Sequence, residues 1–140
     1  MREIKFRGLD KKGNWHYGFY WEAPDGTTWI KEKISESHYA DFEVIRETVG
    51  QFINLPDKNG KEIYDGDIVK CHKFTQELGE NLGVREGEKE FIAEIVFDTY
   101  GGTRVKLPSG GYFFVWEYEE GWHEESLEVI GNIYENPELL

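Results

Sequence analysis

The sequence predicts a mostly β domain, and three observations carry that reading. Turn signals recur every few residues. The stretches between them are short and rich in Val, Ile, Tyr, Phe and Trp, and a single stretch has helical spacing. Many short strands with one brief helix favour a barrel or sandwich-like architecture. A chain of 140 residues, 39% hydrophobic and carrying 5 Trp, 8 Tyr and 9 Phe, can bury a real core despite a net charge of −12.

The elements follow in order. Ile4–Leu9 reads as a strand, the Lys12-Gly13-Asn14 turn leads to a second at Trp15–Trp21, and Pro24-Asp25-Gly26 leads to a third at Thr27–Lys33. Pro presets φ and Gly accepts positive φ, so the three form a meander. Ser35–Ile45 is the helical candidate, capped by Ser35 or Ser37, with Tyr39, Phe42 and Ile45 at spacings of three. Thr48–Leu55 returns to strand. Asn59-Gly60 is the strongest hairpin signal, read as a type I′ turn with both residues at positive φ.

After the Asp65-Gly66 turn, Ile68–Phe74 is a strand, whereas Gln76–Glu90, crowded with Gly and Glu, reads as an exposed mobile loop. Phe91–Phe97, Thr103–Leu107 and Tyr112–Trp116 resume the strand pattern, and Glu128–Tyr134 is the last strand, stopped by Asn136-Pro137. This gives one domain over 1–140, with a meander lobe to about residue 56 and a barrel-like lobe beyond. Glu47–Phe52 is echoed by Glu128–Ile133, with Pro56 and Pro137 in the same register. Either both strands bend at Gly50 and Gly131, where a missing Cβ permits a bulge or close approach, or two strand endings are alike by chance.

Composition excludes several classes. The acidic balance argues against a duplex-coating nucleic-acid binder, which needs clustered Lys and Arg. A single Cys, Cys71, excludes an internal disulfide framework and a four-cysteine zinc site. No apolar run approaches the roughly 18 residues of a membrane helix, and Met1–Leu9 has no signal-peptide core. A soluble protein of a reducing compartment, the cytoplasm, is the expectation.

Asp65-Gly66-Asp67 could open a calcium loop, but the later ligand positions fall on Val69, Lys73 and Gln76, so a tight turn is the reading. Cys71 and His72 are strand neighbours on opposite faces and cannot easily share one ion. No nucleophile motif surrounds Cys71, which reads as a small core residue beside Val69. An enzyme would have to assemble its site from His16, His38, Cys71 or His123. No phosphate loop, dinucleotide fingerprint or hydrolase motif is present, and no cofactor is implied.

Charge is uneven. Met1–Lys12 is basic, while eight glutamates and no Lys or Arg follow Lys106. Trp116, Tyr118 and Trp122 alternate there with Glu119, Glu120 and Glu124. Those residues are either an acidic aromatic partner surface or a strand with aromatics inward and glutamates in water, and the second is the simpler reading. The oppositely charged ends suit a homo-oligomer of low order.

Three blocks resemble one known family: Arg2–Asp10 at the start, Val49–Phe52 through Asp57–Val69 in the middle, and Glu128–Pro137 at the end. Together they resemble the YopX family of phage and prophage proteins, over essentially the whole chain. The resemblance implies a small, mostly β protein with some likeness to SH3-type barrels, in which Gly66–Val69 opens a barrel strand. It implies no catalytic residue. The reading is an accessory protein that binds itself and an unknown host or phage protein. Direct nucleic-acid and membrane binding are not expected. The rival readings are a small enzyme using the His and Cys residues and an acidic mimic of nucleic acid.

Overall fold

A computed structural model describes residues 4–78, 84–98, 102–114 and 127–140. The strands are β1 (Phe6–Leu9), β2 (Trp15–Glu22), β3 (Thr28–Ser35), β4 (His38–Val44), β5 (Gly50–Pro56), β6 (Glu62–Tyr64), β7 (Asp67–Leu78), β8 (Val84–Asp98), β9 (Gly102–Lys106), β10 (Tyr112–Phe114) and β11 (Leu127–Asn132). They form a six-stranded sheet in the order β4-β3-β2-β1-β5-β6 and a five-stranded sheet in the order β10-β9-β8-β7-β11. The strand pairings within each sheet are antiparallel. The mostly β prediction is right, but among the described residues the sheets are open and no barrel closes.

The chain divides into two compact units. The first comprises Met1–Leu55 with Glu62–Gly66, the second Pro56–Lys61 with Asp67–Leu140. Ile30, Val44, Phe52, Ile53 and Ile63 are buried in the first unit. Ile68, Val69, Cys71, Ala93, Ile95, Val105 and Leu127 are buried in the second. Cys71 shares the buried side of β7 with Val69, while Lys70 is exposed, as period two requires.

Two element assignments are corrected. The expected helix Ser35–Ile45 is strand β4, paired with β3 from Thr28↔Val44 to Ser35↔His38. Its spacing of three was fortuitous: Tyr39 is exposed, and the residues that turn inward are Ala40, Phe42 and Val44 at spacings of two. The expected loop Gln76–Glu90 is largely strand, because β7 and β8 pair as far as Leu78↔Val84. Backbone ladders carry no requirement for apolar side chains, so a Glu- and Gly-rich ribbon escapes a reading based on hydrophobic pattern.

Four hairpins share one turn. In Asp10–Gly13, Ala23–Gly26, Asp57–Gly60 and Leu107–Gly110, the glycine N–H donates to the first residue's carbonyl. The first residue's own N–H donates to the carbonyl of the residue after the glycine. This is a type I turn closed by a left-handed glycine, with φ of 87°, 89°, 81° and 100° respectively. The type I′ reading of Asn59-Gly60 is therefore corrected, since Gly60 is left-handed and Asn59 is not. Asp10 and Asp57 add a side-chain oxygen that accepts two backbone N–H groups of their own turns. At both echo glycines a Cβ would collide with a neighbour. A Cβ on Gly50 would lie 2.4 Å from the Asp65 carbonyl, and Gly131 sits at a register shift with Asn136 Oδ1 2.6 Å from where a Cβ would be.

Candidate functional site

The first unit's sheet presents two unlike faces. On β2, His16 and Gly18 point one way, and Trp15, Tyr17, Phe19 and Trp21 point the other, by strand alternation.

On the inner face His16 is buried and held at both ring nitrogens, Nε2 at 2.8 Å from Asp10 Oδ2 and Nδ1 at 3.0 Å from Glu32 Oε2. Its ring stacks on Phe42 at a centroid distance of 4.0 Å. With both carboxylates ionised, both nitrogens must donate, which is the imidazolium form. Burial pulls its pKa down, but the Asp10 and Glu32 hydrogen bonds and charges outweigh that and raise it above the ordinary value. Asp10 is held down to about 2, foremost by its hydrogen bond with His16. A ring donating on both sides has no lone pair for a base or a metal, and carboxylates on opposite edges cannot close on one ion. The cluster ties the β1–β2 turn to β2 and β3, beside a concavity of about 720 Å³ lined in part by Lys12, Asn14, Phe42 and Arg46.

The outer face is aromatic and cationic. The registers Arg7↔Tyr17, Phe19↔Lys31, Trp21↔Trp29, Lys31↔Asp41 and Lys33↔Tyr39 put all these residues on it. Arg7 lies over Trp15 at 4.5 Å and over Tyr64 at 5.0 Å, inside the sheet's aromatic patch. Trp21 stacks on Trp29 and donates its indole N–H to Asp41 at 2.9 Å. Towards the other end Phe19 is 59% exposed and Tyr39 55% exposed.

The other groups of the enzyme reading are placed as follows. His38 meets Ser35 and Ser37 at the β3–β4 turn, Cys71 is buried in the second unit, and His123 lies outside the described residues. His72 stands 3.5 Å from Glu90, whose pKa it lowers together with Lys70. Trp116, Tyr118, Glu119, Glu120, Trp122 and Glu124, the surface expected from sequence, also lie outside the described residues. The open face was missed, although its signal is legible: positions 15, 17, 19 and 21 are all aromatic. Such a row would ordinarily be assigned to the core. Here the other row of β2 shares its side of the sheet with Ile30, Phe42 and Val44, of which Ile30 and Val44 are buried.

Among the described residues no helix is long and apolar enough to cross a membrane. In comparisons with known proteins, the family model described as "YopX protein" matches residues 5–140. No curated protein matches the chain.

Proposed function

The chain belongs to the YopX family, and from that premise we propose that it is a phage- or prophage-encoded accessory protein that works in the bacterial cytoplasm by binding another protein. One observation carries the reading: the outer face of the first sheet shows water an unbroken aromatic row, Tyr17, Phe19 and Trp21, with Tyr39 beside it. Water-exposed aromatic clusters of this kind are what protein interfaces use as anchors, because a ring buries much area at little cost in side-chain entropy. The doubly held His16 supports binding over catalysis, since its proton is already committed on both sides.

Affinity capture from bacterial lysate with the native chain and with a Phe19→Ser/Tyr39→Ser variant tests the reading. Both side chains are more than half exposed, so the variant keeps its fold. A discrete set of polypeptides held by the native chain and lost by the variant is the expected result. The same set held by both would remove the face from the function.

A further inference from the structure

At one end of the open face, Lys5, Tyr17, Phe19, Lys31, Lys33 and Tyr39 line a cleft of about 410 Å³ that Glu32, its carboxylate engaged with His16, also borders. Lys31 and Lys33 are alternate residues of β3, so they stand on one side of the sheet about 7 Å apart along the strand. Phe19 is the cross-strand neighbour of Lys31, and Tyr39 that of Lys33, so each ammonium rises beside an aromatic wall. Lys5 is engaged with Glu62 at 2.8 Å. Among the described residues Lys33 pairs with Glu36 alone, at 3.6 Å, and that glutamate's side chain is 98% exposed, a pair worth little. Lys31 has no ion pair among the described residues.

An extended peptide repeats its side chains on one side at the same spacing of about 7 Å. Carboxylates at positions i and i+2 therefore meet Lys31 and Lys33 together, while the rings and lysine stems cover apolar parts of the segment. The cationic stretch is short. Asp41 and Glu43 share the face, opposite Lys31 and Trp29, and end it within one strand's width. A nucleic-acid strand carries a charge at every nucleotide and would run onto those carboxylates, on a chain whose net charge is −12. A segment with only two acidic residues, both seated on the lysines, brings no further charge towards them.

We propose that this cleft binds a short, extended, acidic segment of a partner protein, with its alternate carboxylates on Lys31 and Lys33. The proposal rests on the open face being the binding surface and adds the chemistry of what it takes.

Fluorescence anisotropy on the full chain tests it, using a capped, fluorescein-labelled Ser-Glu-Leu-Glu-Leu-Ser peptide, its Gln-for-Glu analogue and a labelled oligothymidine. The acidic peptide is expected to bind about tenfold or more tighter than the Gln analogue and to weaken with salt. Lys31→Glu/Lys33→Glu should lose that binding with an unchanged circular dichroism spectrum, and Lys31→Arg/Lys33→Arg should retain it. Equal binding of the Gln analogue, no binding of either peptide, insensitivity to the charge reversal, or tighter binding of oligothymidine would each overturn the proposal. If capture still depends on Phe19 and Tyr39 while the Gln analogue binds equally, the acidic partner is wrong and the binding face stands. If capture ignores those residues, the face itself is wrong.

Discussion

The carboxylate of Asp57 accepts a hydrogen bond from the N–H of Val129, 72 residues further along the chain, at 2.9 Å. Its other oxygen accepts from Asn59 and Lys61 within its own turn, at 2.8 and 2.9 Å. The Lys58 N–H donates to the Leu127 carbonyl, and Lys58 Nζ stands 3.3 Å from Glu128. One buried side chain thus shapes the turn after β5 and fastens it to β11.

Asp57→Ala leaves three backbone donors without their acceptor and is expected to lower stability by about 3 kcal/mol or more. Asp57→Asn keeps one acceptor oxygen and should cost about half as much. Urea unfolding of the two variants checks this, and a loss below about 1 kcal/mol for Asp57→Ala would show the turn to be held elsewhere.

Gly60 has a φ of 81° and nothing within 4 Å of where a Cβ would lie, so its requirement is conformational and not steric crowding by neighbours. Gly60→Val should cost about 1–3 kcal/mol, and Gly60→Asn clearly less, because Asn tolerates the left-handed region. Asn59→Ala should change little. Melting temperatures in that order support the type I turn, whereas equal losses at 59 and 60 would restore the type I′ assignment.

The His16 cluster makes stability depend on pH in a definite direction. A raised His16 pKa contributes fully below its ordinary 6.5 and is lost as pH rises through the higher folded value. A lowered Asp10 pKa contributes fully above its ordinary 3.8 and is lost as pH falls towards about 2. Both contributions are in place between roughly pH 4 and 6.5. The stability gap between the native chain and His16→Gln should be widest there and narrow at alkaline pH. Unfolding curves at acidic and alkaline pH measure it, and a gap that widens with pH would contradict an imidazolium.

Cys71 is buried among apolar residues of the second unit, which shields its thiol from reagents in water. Native protein should react slowly with a disulfide reagent and quickly in denaturant. Cys71→Ala should cost stability through lost packing and leave partner capture unchanged. Fast native labelling at neutral pH would indicate an activated thiolate and favour catalysis.

Much of this fold was legible in the sequence because Gly and Pro punctuation is local. The turns at Gly13, Gly26, Gly60 and Gly110 and the buried register of Val69 and Cys71 all follow from neighbouring residues. β4 was not legible, because Tyr39, Phe42 and Ile45 fit a period of three while pairing with β3 decided the outcome. Nor was the long β7–β8 ribbon, whose backbone ladder leaves no apolar signature. His16 was noticed as a titratable residue, but Asp10 and Glu32 are its partners through a turn and a neighbouring strand, which no linear spacing displays. The open aromatic row was written plainly at positions 15 to 21, and only the structure shows which row of β2 faces water.

Photo-crosslinking from position 19 tests whether the aromatic face of β2 meets a partner, with a crosslinking amino acid in place of Phe19 and a control at Ser109 in the β9–β10 turn. Both positions are exposed. Position 19 is expected to join covalently to a discrete partner polypeptide in the bacterial host, Lys31→Glu/Lys33→Glu to suppress the adduct, and position 109 to yield none. The same adduct from both positions, or from position 109 alone, would contradict that expectation.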